Sequence, residues 1–294
     1  MRRRTLDALE VRGKRVLVRV DFNVPLAGDG SIADDTRIRE SLPTIRSILE
    51  RGGRAILMSH LGRPKGKPDP EASLRPIAAR LAELLGGPVA FATDCVGPET
   101  EKLANALPPG GVLLLENLRF HAEEEKGDPG FAEALARLGD VFVNDAFGAA
   151  HRPHASVSGI PSRLPSAAGY LLAKEIDAFA RVLEDPARPL VAVVGGAKVS
   201  DKIGVLESLI ARVDRLVVGG GMAYTFLASK GIAVGDSLLE RDRIDTAKKV
   251  LASADRRKIP FHLPSDHVCA DRFAADAAVR VVEGEVPAGW RGLD

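Results

Sequence analysis

A chain of 294 residues, with 45% hydrophobic and 28% charged side chains, has room for about two domains, each with its own core. The formal net charge of +1 argues against a nucleic-acid-binding protein, which needs a lysine and arginine excess to neutralise phosphates, so any preference for polyanions has to come from local clustering. The cysteines, Cys95 and Cys269, are too few for a disulfide framework and indicate a reducing compartment. The N-terminal segment lacks the apolar stretch of a secretory signal, and the longest apolar run, LVAVVGGA, is far shorter than a membrane span. We therefore expect a soluble, cytoplasmic protein with no membrane partner.

Short β-branched runs alternate along the chain with segments of helical period. The predicted strands are RVLVRV (15–20), RAILM (54–58), VLLL (112–115), VFV (141–143), LVAVV (190–194) and RLVV (215–218). The segment 73–87 carries an apolar stripe at helical spacing, with Ser73 as its candidate N-cap and glycines at its end. This alternation is typical of α/β proteins whose parallel sheets are covered by helices on both faces, so we predict doubly wound parallel-sheet lobes.

A divider between two lobes is predicted near residues 165–190. The stretch PSAAGYLLAKEIDAFARVLEDPARP reads as one helix that ends at Asp185-Pro186, and the strand–helix pattern restarts after it. We therefore predict an N-terminal lobe over residues 1–170, an interdomain helix or hinge over 171–188, and a second lobe over 189–294.

Polar side chains follow almost every predicted strand of the first lobe. In open parallel sheets, ligands bind beyond the carboxyl ends of the strands, which here are followed by DFN, SHLGRP, ENLRF and NDAF, the last leading to HR. Several arginines in one crevice repel one another unless an anion of several charges lies among them, and guanidinium groups match carboxylates and phosphates. The second lobe has glycines at its strand ends, and their bare backbone N–H groups can approach phosphates or a flat base. One lobe for an acidic metabolite and one for a nucleotide is the pattern of a bilobal kinase.

Two lysines, Lys198 and Lys202, lie four apart in the stretch VVGGAKVSDKIGVL. If a helix begins near Ser200, both ammonium groups lie near its N-terminus, where the peptide dipoles already supply positive partial charge. That placement is unfavourable unless an anion is bound there. Two solvated lysines on an amphipathic helix are the alternative.

Taken together, the motifs VDFNVP, DDTRI, SHLGRPKG, ENLRF, NDAFGAAHR, GGAKVSDKI and GGGMA resemble, in their order and spacing, those of the phosphoglycerate kinases. The resemblance runs from the first strand to the last residue. It implies reversible phosphoryl transfer between 1,3-bisphosphoglycerate and ADP, which gives 3-phosphoglycerate and ATP with Mg²⁺, in glycolysis. It also implies a cytosolic monomer whose hinge closes to bring the substrates together and exclude water.

The resemblance assigns roles to the residues at matching positions. Substrate binding is expected of Asp21, Phe22, Asn23, Arg37, His60, Leu61, Gly62, Arg63, Arg119 and Arg152, among which the histidine and the last three arginines match the family's basic patch around the non-transferred 3-phosphate. Nucleotide binding is expected of Gly195, Gly196, Ala197, Lys198, Lys202, Gly219 and Gly220. Catalysis is expected of Arg37, Lys198 and Lys202, which would neutralise the group in transfer. The acceptor is an ionised carboxylate, so no general base is required, and no side chain is assigned as a metal ligand.

The sequence departs from the family pattern after VPAGWRGLD. The family continues with an asparagine-glycine-proline stretch and with a glycine-glycine-aspartate loop that it uses for phosphates and metal, and neither occurs here. We therefore expect a truncated, partial second lobe and weak nucleotide binding. A fragment that binds substrate but is catalytically inactive is the alternative function.

A nicotinamide-dependent dehydrogenase is a remote alternative, since glycine clusters follow two strands. GGAKVSD lacks the G-x-G-x-x-G spacing, and GGGMAY has Tyr224 where the third glycine belongs. The Walker motif G-x-x-x-x-G-K-[ST] does not occur. The remaining clusters are interpreted as structural: HRPH (151–154) as a loop, HLPSDH (262–267) as strand-end polarity, HAEEEKGD (121–128) as a solvated loop, and the cysteines as small buried residues.

Overall fold

The computed structural model describes residues 4–293. They form two compact units, and the boundary along the chain lies between Phe179 and Ala180. The strands of the first unit are β1 (Arg15–Arg19), β2 (Arg54–Met58), β3 (Val89–Phe91), β4 (Val112–Leu114), β5 (Val141–Asn144) and β6 (Ser166–Ala168). Its helices are α1 (Thr36–Glu50), α2 (Arg75–Leu85), α3 (Pro98–Ala106), α4 (Ala122–Lys126), α5 (Pro129–Ala136) and α6 (Tyr170–Leu183), the last of which ends beyond the boundary. The strands form one parallel sheet in the order β3-β4-β2-β1-β5-β6.

The central strand β1 is buried on both faces, as a parallel sheet between helical layers requires. Val16 and Val18 point into a core cluster that contains Ile45, whereas Leu17 points into a second cluster that contains Leu135. Successive side chains of a strand point to opposite faces, so this alternation places one core on each side of the sheet. All strands run in the same direction, and their carboxyl ends therefore lie at one edge.

Two local expectations in this unit need correction. The segment 165–190 is not a single helix, because Ser166–Ala168 pairs with β5 as a strand and the helix ends at Leu183. Gly169 separates the two elements, and a Cβ there would come 2.2 Å from Asp145 Oδ1. The helix predicted over 73–87 spans Arg75–Leu85 and ends at Gly86, whose φ of 71° suits glycine.

The second unit contains two small sheets. Its strands are β7 (Val191–Val194), β8 (Arg215–Val218), β9 (Phe261–His262), β10 (Asp266–Ala270), β11 (Val279–Glu283) and β12 (Arg291–Gly292). Its helices are α7 (Ile203–Ile210), α8 (Gly221–Ser229) and α9 (Ile244–Arg256). Strands β7-β8-β9 are parallel, as expected, whereas β11-β10-β12 are antiparallel and were not predicted. The fold class is therefore confirmed as α/β with a mostly parallel main sheet, and none of the helices within residues 4–293 has the length and apolar character to cross a membrane.

Candidate active site

The segments that follow β1 and β2 are tied together by hydrogen bonds at the carboxyl edge of the first sheet. The Phe22 backbone N–H donates to Ser59 Oγ at 2.8 Å, and Asn23 Oδ1 accepts the Gly62 N–H at 2.9 Å. Leu61, the neighbour of Gly62, is buried and its carbonyl accepts from Asn117 Nδ2 at 2.7 Å. These bonds fix the polar loops that carry the predicted substrate-binding residues.

Arg119 is held by the short 3-10 helix Leu118–Phe120 that follows β4. The Asn117 side chain accepts the Arg119 backbone N–H, and Arg119 Nη1 donates to the Gly62 carbonyl at 2.8 Å. Its Nε lies 3.2 Å from Glu125 Oε1 but makes no aligned hydrogen bond. Burial lowers the pKa of this guanidinium, which is only 5% exposed. A buried cation with an unsatisfied donor is a group prepared for an anionic ligand.

His60 lies buried among cationic groups and is neutral. Burial, followed by the charges of Arg19, Arg119 and Arg152, lowers the pKa of His60 to about 2. Arg19 Nη2 lies 3.2 Å from His60 Nδ1, and a guanidinium can only donate. Nδ1 is therefore the acceptor and Nε2 carries the proton, so His60 offers a neutral N–H donor to a ligand.

Arg63 and Arg152 complete this basic cluster from the loops after β2 and β5. The charges of both act on buried Arg119, and that of Arg152 also acts on His60. Within the part of the chain that the structure describes, neither makes an ion pair with a carboxylate. His60, Arg63, Arg119 and Arg152 are therefore close enough to influence one another electrostatically, and their role as a phosphate-binding patch stays a prediction.

Arg37, in the first turn of α1, pairs with Asp21. Its Nη1 donates to Asp21 Oδ2 at 2.8 Å beside a cavity of about 390 Å³ that Phe147 and Gly148 also line. A Cβ at Gly148 would come 2.8 Å from Asp21 Oδ2, so this glycine leaves room for the pair.

Four buried residues near the basic cluster, Arg19, Glu124, His154 and Ser156, were not identified as site residues from the sequence. Arg19, in β1, is 1% exposed, and its Nε donates to Ser156 Oγ at 2.9 Å. Glu124 accepts the Ser156 N–H at 2.9 Å, and its Oε1 lies 3.7 Å from His154 Nδ1. Burial raises the pKa of Glu124, but contact with His154 and the charge of Arg19 lower it by more, so the pKa lies below its usual value.

The prediction of a solvated loop at 121–128 is therefore wrong. Residues Ala122–Lys126 form α4, and Glu124 is fully buried. The acidic run EEE gave no sign that its middle residue points inward, because the buried partners come from β1 and from the segment after β5.

In the second unit, two glycine loops pack against each other. Gly195 and Gly196 follow β7, whereas Gly219 and Gly220 follow β8. A Cβ at Gly220 would come 3.0 Å from the Gly196 nitrogen, and Gly220 has a φ of 67°. The Gly196 carbonyl accepts the Met222 N–H at 2.9 Å, so the backbone of one loop closes on the other. Such glycine backbones give phosphates or a base close access.

The lysines lie before a helix, as expected, but the helix begins later. α7 begins at Ile203 rather than near Ser200, with Lys202 as its N-cap and Lys198 exposed in the preceding turn. Ser200 instead binds Glu240, to which it donates from N at 3.1 Å and from Oγ at 2.7 Å. Both ammonium groups thus lie on the N-terminal side of the helix, where an anion is favoured.

A cavity of about 380 Å³ lies beside these glycine loops. Ala197 and Gly221 line one part of it, and the side chains of Leu238 and Phe273 line another. Phe273 is 82% exposed and Leu238 is 49% exposed, so both side chains are accessible to a ligand in this cavity. The sequence did not mark these two residues, since an isolated apolar residue in a loop has no distinctive pattern.

Comparison with known proteins bears directly on this arrangement. The family model described as "Phosphoglycerate kinase" matches residues 6–294. The chain belongs to the phosphoglycerate kinase family. A phosphoglycerate kinase of Moorella thermoacetica is 57% identical over 295 residues, which cover 100% of this chain and 75% of that relative. A cytosolic phosphoglycerate kinase of Triticum aestivum is 54% identical over 99% of this chain and 73% of that protein.

Solved structures of the phosphoglycerate kinase family agree. The structure of the Coxiella burnetii phosphoglycerate kinase matches with a TM-score of 0.85 and 39% identity, over 100% of this chain and 74% of that one. The Pyrococcus horikoshii phosphoglycerate kinase matches with a TM-score of 0.81 and 30% identity, over 95% of this chain and 70% of that one. The chain is therefore a phosphotransferase of this family, and these relatives give no support to the dehydrogenase alternative.

Proposed function

We propose that this protein transfers a phosphoryl group reversibly between 1,3-bisphosphoglycerate and ADP, giving 3-phosphoglycerate and ATP. The observation that carries the proposal is the basic cluster of His60, Arg63, Arg119 and Arg152 at the carboxyl edge of the first sheet, in a chain of this family. In this proposal the cluster binds the 3-phosphate that is not transferred. Guanidinium groups and the His60 N–H are suited to its oxygens.

The glycerate end of the substrate is assigned to the segment after β1. Asp21 and Asn23 supply acceptors for its hydroxyl group and a polar wall for its carboxyl end, while Phe22, Leu61 and Gly62 form the surrounding loops. Asn23 and Gly62 are already joined by a hydrogen bond, which supports a preformed pocket. We assign residues 1–170 to substrate binding, 171–188 to the interdomain hinge and 189–294 to nucleotide binding.

The nucleotide is assigned to the second unit. Its phosphates lie against Lys198 and Lys202 and against the backbone of Gly195, Gly196, Ala197, Gly219 and Gly220. The close packing of the two glycine loops and the cavity beside them support this assignment. We assign magnesium to the nucleotide substrate, because Lys198 and Lys202 offer only ammonium groups, which are not metal ligands.

The chemistry needs positioning and charge neutralisation. The attacking group in the ATP-consuming direction is a carboxylate that is ionised at neutral pH, so no residue has to act as a general base. Arg37, Lys198 and Lys202 neutralise the oxygens of the group in transfer, and loss of one such group often lowers the rate about 100- to 1,000-fold. We extend the proposal to a hinge motion that joins the substrates and excludes water.

The proposal also covers the setting of the enzyme. A cytosolic relative, a reducing compartment inferred from the low cysteine count and a near-neutral charge support a cytoplasmic monomer that works in glycolysis. The direct test is a coupled assay of ADP formation from ATP and 3-phosphoglycerate. Turnover that requires both substrates supports the proposal, and binding of 3-phosphoglycerate without any turnover would overturn it in favour of a binding protein.

A further inference from the structure

Side chains of three metal-binding types meet near the end of β3, away from the groups assigned to substrate. Asp94 and Cys95 follow this strand, and His121 follows the 3-10 helix that carries Arg119. One ligand atom from each of the three lies within 4.8 Å of the others, and His121 Nε2 is 2.7 Å from Asp94 Oδ1. Within residues 4–293, these three side chains are close enough together to share one metal ion.

The surrounding structure fixes the positions of these three side chains. Asp94 Oδ1 accepts the Cys95 backbone N–H at 2.6 Å, and the Asp94 carbonyl accepts from Thr100 Oγ1 at 3.1 Å. The His121 ring packs on Phe131 with its centroid 5.1 Å away. Cys95 is fully buried in the core cluster on that face of the sheet. Ligands whose orientation is set by neighbours bind a metal with less loss of freedom.

A cavity gives access to the cluster. It has a volume of about 630 Å³, and Asp94, His121, Thr93 and Phe120 contribute to its wall. The side chains of His121 and Asp94 are 28% and 52% exposed, so an ion and a water molecule can reach them. Glu116 also lines the cavity, but its oxygens already accept hydrogen bonds from backbone N–H groups and a serine hydroxyl. The fourth position is therefore left to water.

We propose that Asp94, Cys95 and His121 form a binding site for a borderline-soft divalent cation, with zinc as the best match and water as the fourth ligand. One sulfur, one nitrogen and one oxygen suit zinc and not magnesium, which prefers oxygen ligands alone. In a tetrahedral zinc site, ligand atoms lie roughly 3.5 Å apart. Separations of up to 4.8 Å therefore need to close, while the 2.7 Å contact between His121 Nε2 and Asp94 Oδ1 needs to open. When the ion binds, His121 Nε2 gives up its contact with Asp94 Oδ1 and coordinates the ion instead.

The thiol provides the clearest signature of this site. Cys95 is fully buried, its backbone N–H is held by Asp94 Oδ1, and its sulfur would bind a metal as the thiolate. On binding, the S–H proton passes to solvent and the thiolate electron pair is donated to the ion, with no oxidation or reduction. A thiolate bound to Co²⁺ absorbs intensely in the near ultraviolet, and Co²⁺ takes the same ligands as zinc.

The test is a Co²⁺ titration of the full chain after chelator treatment and removal of the chelator, followed by addition of Zn²⁺. We expect a thiolate band that saturates at one ion per chain and disappears when Zn²⁺ displaces the cobalt. The band should be absent in Cys95→Ala and unchanged in Cys269→Ala, the matched control in which the other buried cysteine is removed. No band in the unmodified chain would overturn the proposal, as would a band that depends on Cys269.

A second variant keeps the test decisive if Cys95→Ala fails to fold. His121→Ala removes a partly exposed ring, and we expect Co²⁺ and Zn²⁺ affinity to fall at least about 10-fold, in line with the loss of a metal-site group. The same metal affinity in His121→Ala as in the unmodified chain would contradict the site.

Discussion

Arg37 donates from Nη1 to Asp21 Oδ2 at 2.8 Å, which joins the segment after β1 to the first turn of α1. The Arg37 side chain is 50% exposed, so the pair contributes little to folding stability. The pair instead orients the Arg37 guanidinium, whose remaining N–H groups can donate to a ligand.

Removal of Arg37 should therefore affect rate and not stability. We expect Arg37→Ala to lower kcat about 100- to 1,000-fold, because a charge that neutralises the transferring group is lost. The free energy of unfolding, measured in denaturant, should change by no more than about 0.5 kcal/mol. Arg39→Ala is the matched control, since Arg39 is similarly exposed on the same helix and pairs with Asp35. Equal kinetic losses in the two variants would remove Arg37 from the mechanism.

Glu124 is expected to stabilise the fold strongly. It is fully buried, bonds to Ser156, which also accepts from Arg19, and lies near His154, so Glu124→Gln removes the largest countercharge that acts on the buried Arg19. Loss of this charged hydrogen-bond acceptor should cost about 1–3 kcal/mol, which urea unfolding would register as a lower midpoint. Glu123→Gln, on the exposed side of the same helix, should leave the midpoint unchanged. A midpoint in Glu124→Gln that matches that control would show that the carboxylate charge is dispensable.

The sequence predicted most of the first sheet because its strands are short, apolar and bounded by polar loops. RAILM corresponds to β2 residue for residue, and RLVV corresponds to β8. β3 was missed because VAF is too short and too exposed for a periodic pattern. β10 was missed because DHVCA mixes polar and apolar residues and pairs in an antiparallel sheet.

The candidate site was predictable where a motif carries it and unpredictable where partners are distant. His60 and Arg63 follow a recognisable strand, so the motif alone indicates them. Arg19 and Glu124 look like a strand residue and a surface acid, and only contact with Ser156 shows that both are buried. Burial of this kind depends on segments far apart in the chain, which local composition does not reveal.

Lys202 should contribute to binding of the nucleotide, in addition to its proposed catalytic role, and not to binding of 3-phosphoglycerate. It is the N-cap residue of α7, so we expect Lys202→Ala to weaken Mg-ADP binding about 10- to 100-fold through loss of a charge-assisted contact. Binding of 3-phosphoglycerate should not change, because its assigned ligands lie in the other unit. Calorimetric titration measures both, with Lys230→Ala as an exposed control at the end of α8. Unaltered Mg-ADP affinity in Lys202→Ala would contradict this assignment.

Asp145 should give the fold a distinct pH dependence. Its Oδ1 accepts the N–H groups of Leu171 and Leu172 at the start of α6, and burial raises the pKa of Asp145 to about 6. Between pH 3.8 and about 6 the folded state holds a proton that the unfolded state has lost. The contribution of this residue to stability therefore falls as the pH rises, by up to about 1.4 kcal/mol per pH unit.

The measurement is the free energy of unfolding of the unmodified chain and of Asp145→Asn across this range. The free energy of unfolding of Asp145→Asn should rise relative to that of the unmodified chain as the pH rises from 4 to 7. Asp140→Asn is a control, since the ion pair with Arg15 holds the pKa of Asp140 below 3.8 despite partial burial, so its profile should stay parallel to that of the unmodified chain above pH 4. Parallel profiles for the unmodified chain and Asp145→Asn would show that the buried carboxyl does not titrate in this window.

The most direct test of the account compares two ligands that differ only in the phosphate. 3-Phosphoglycerate and glycerate are titrated calorimetrically into the unmodified chain and into Arg63→Ala, Arg152→Ala and Arg163→Ala, the last being an arginine paired with Glu133 outside the cluster. We predict that 3-phosphoglycerate binds and glycerate does not, and that affinity falls about 10- to 100-fold in the first two variants and stays unchanged in the third. Equal binding of the two ligands, or equal affinity in all the variants, would contradict the claim that this cluster recognises a phosphate.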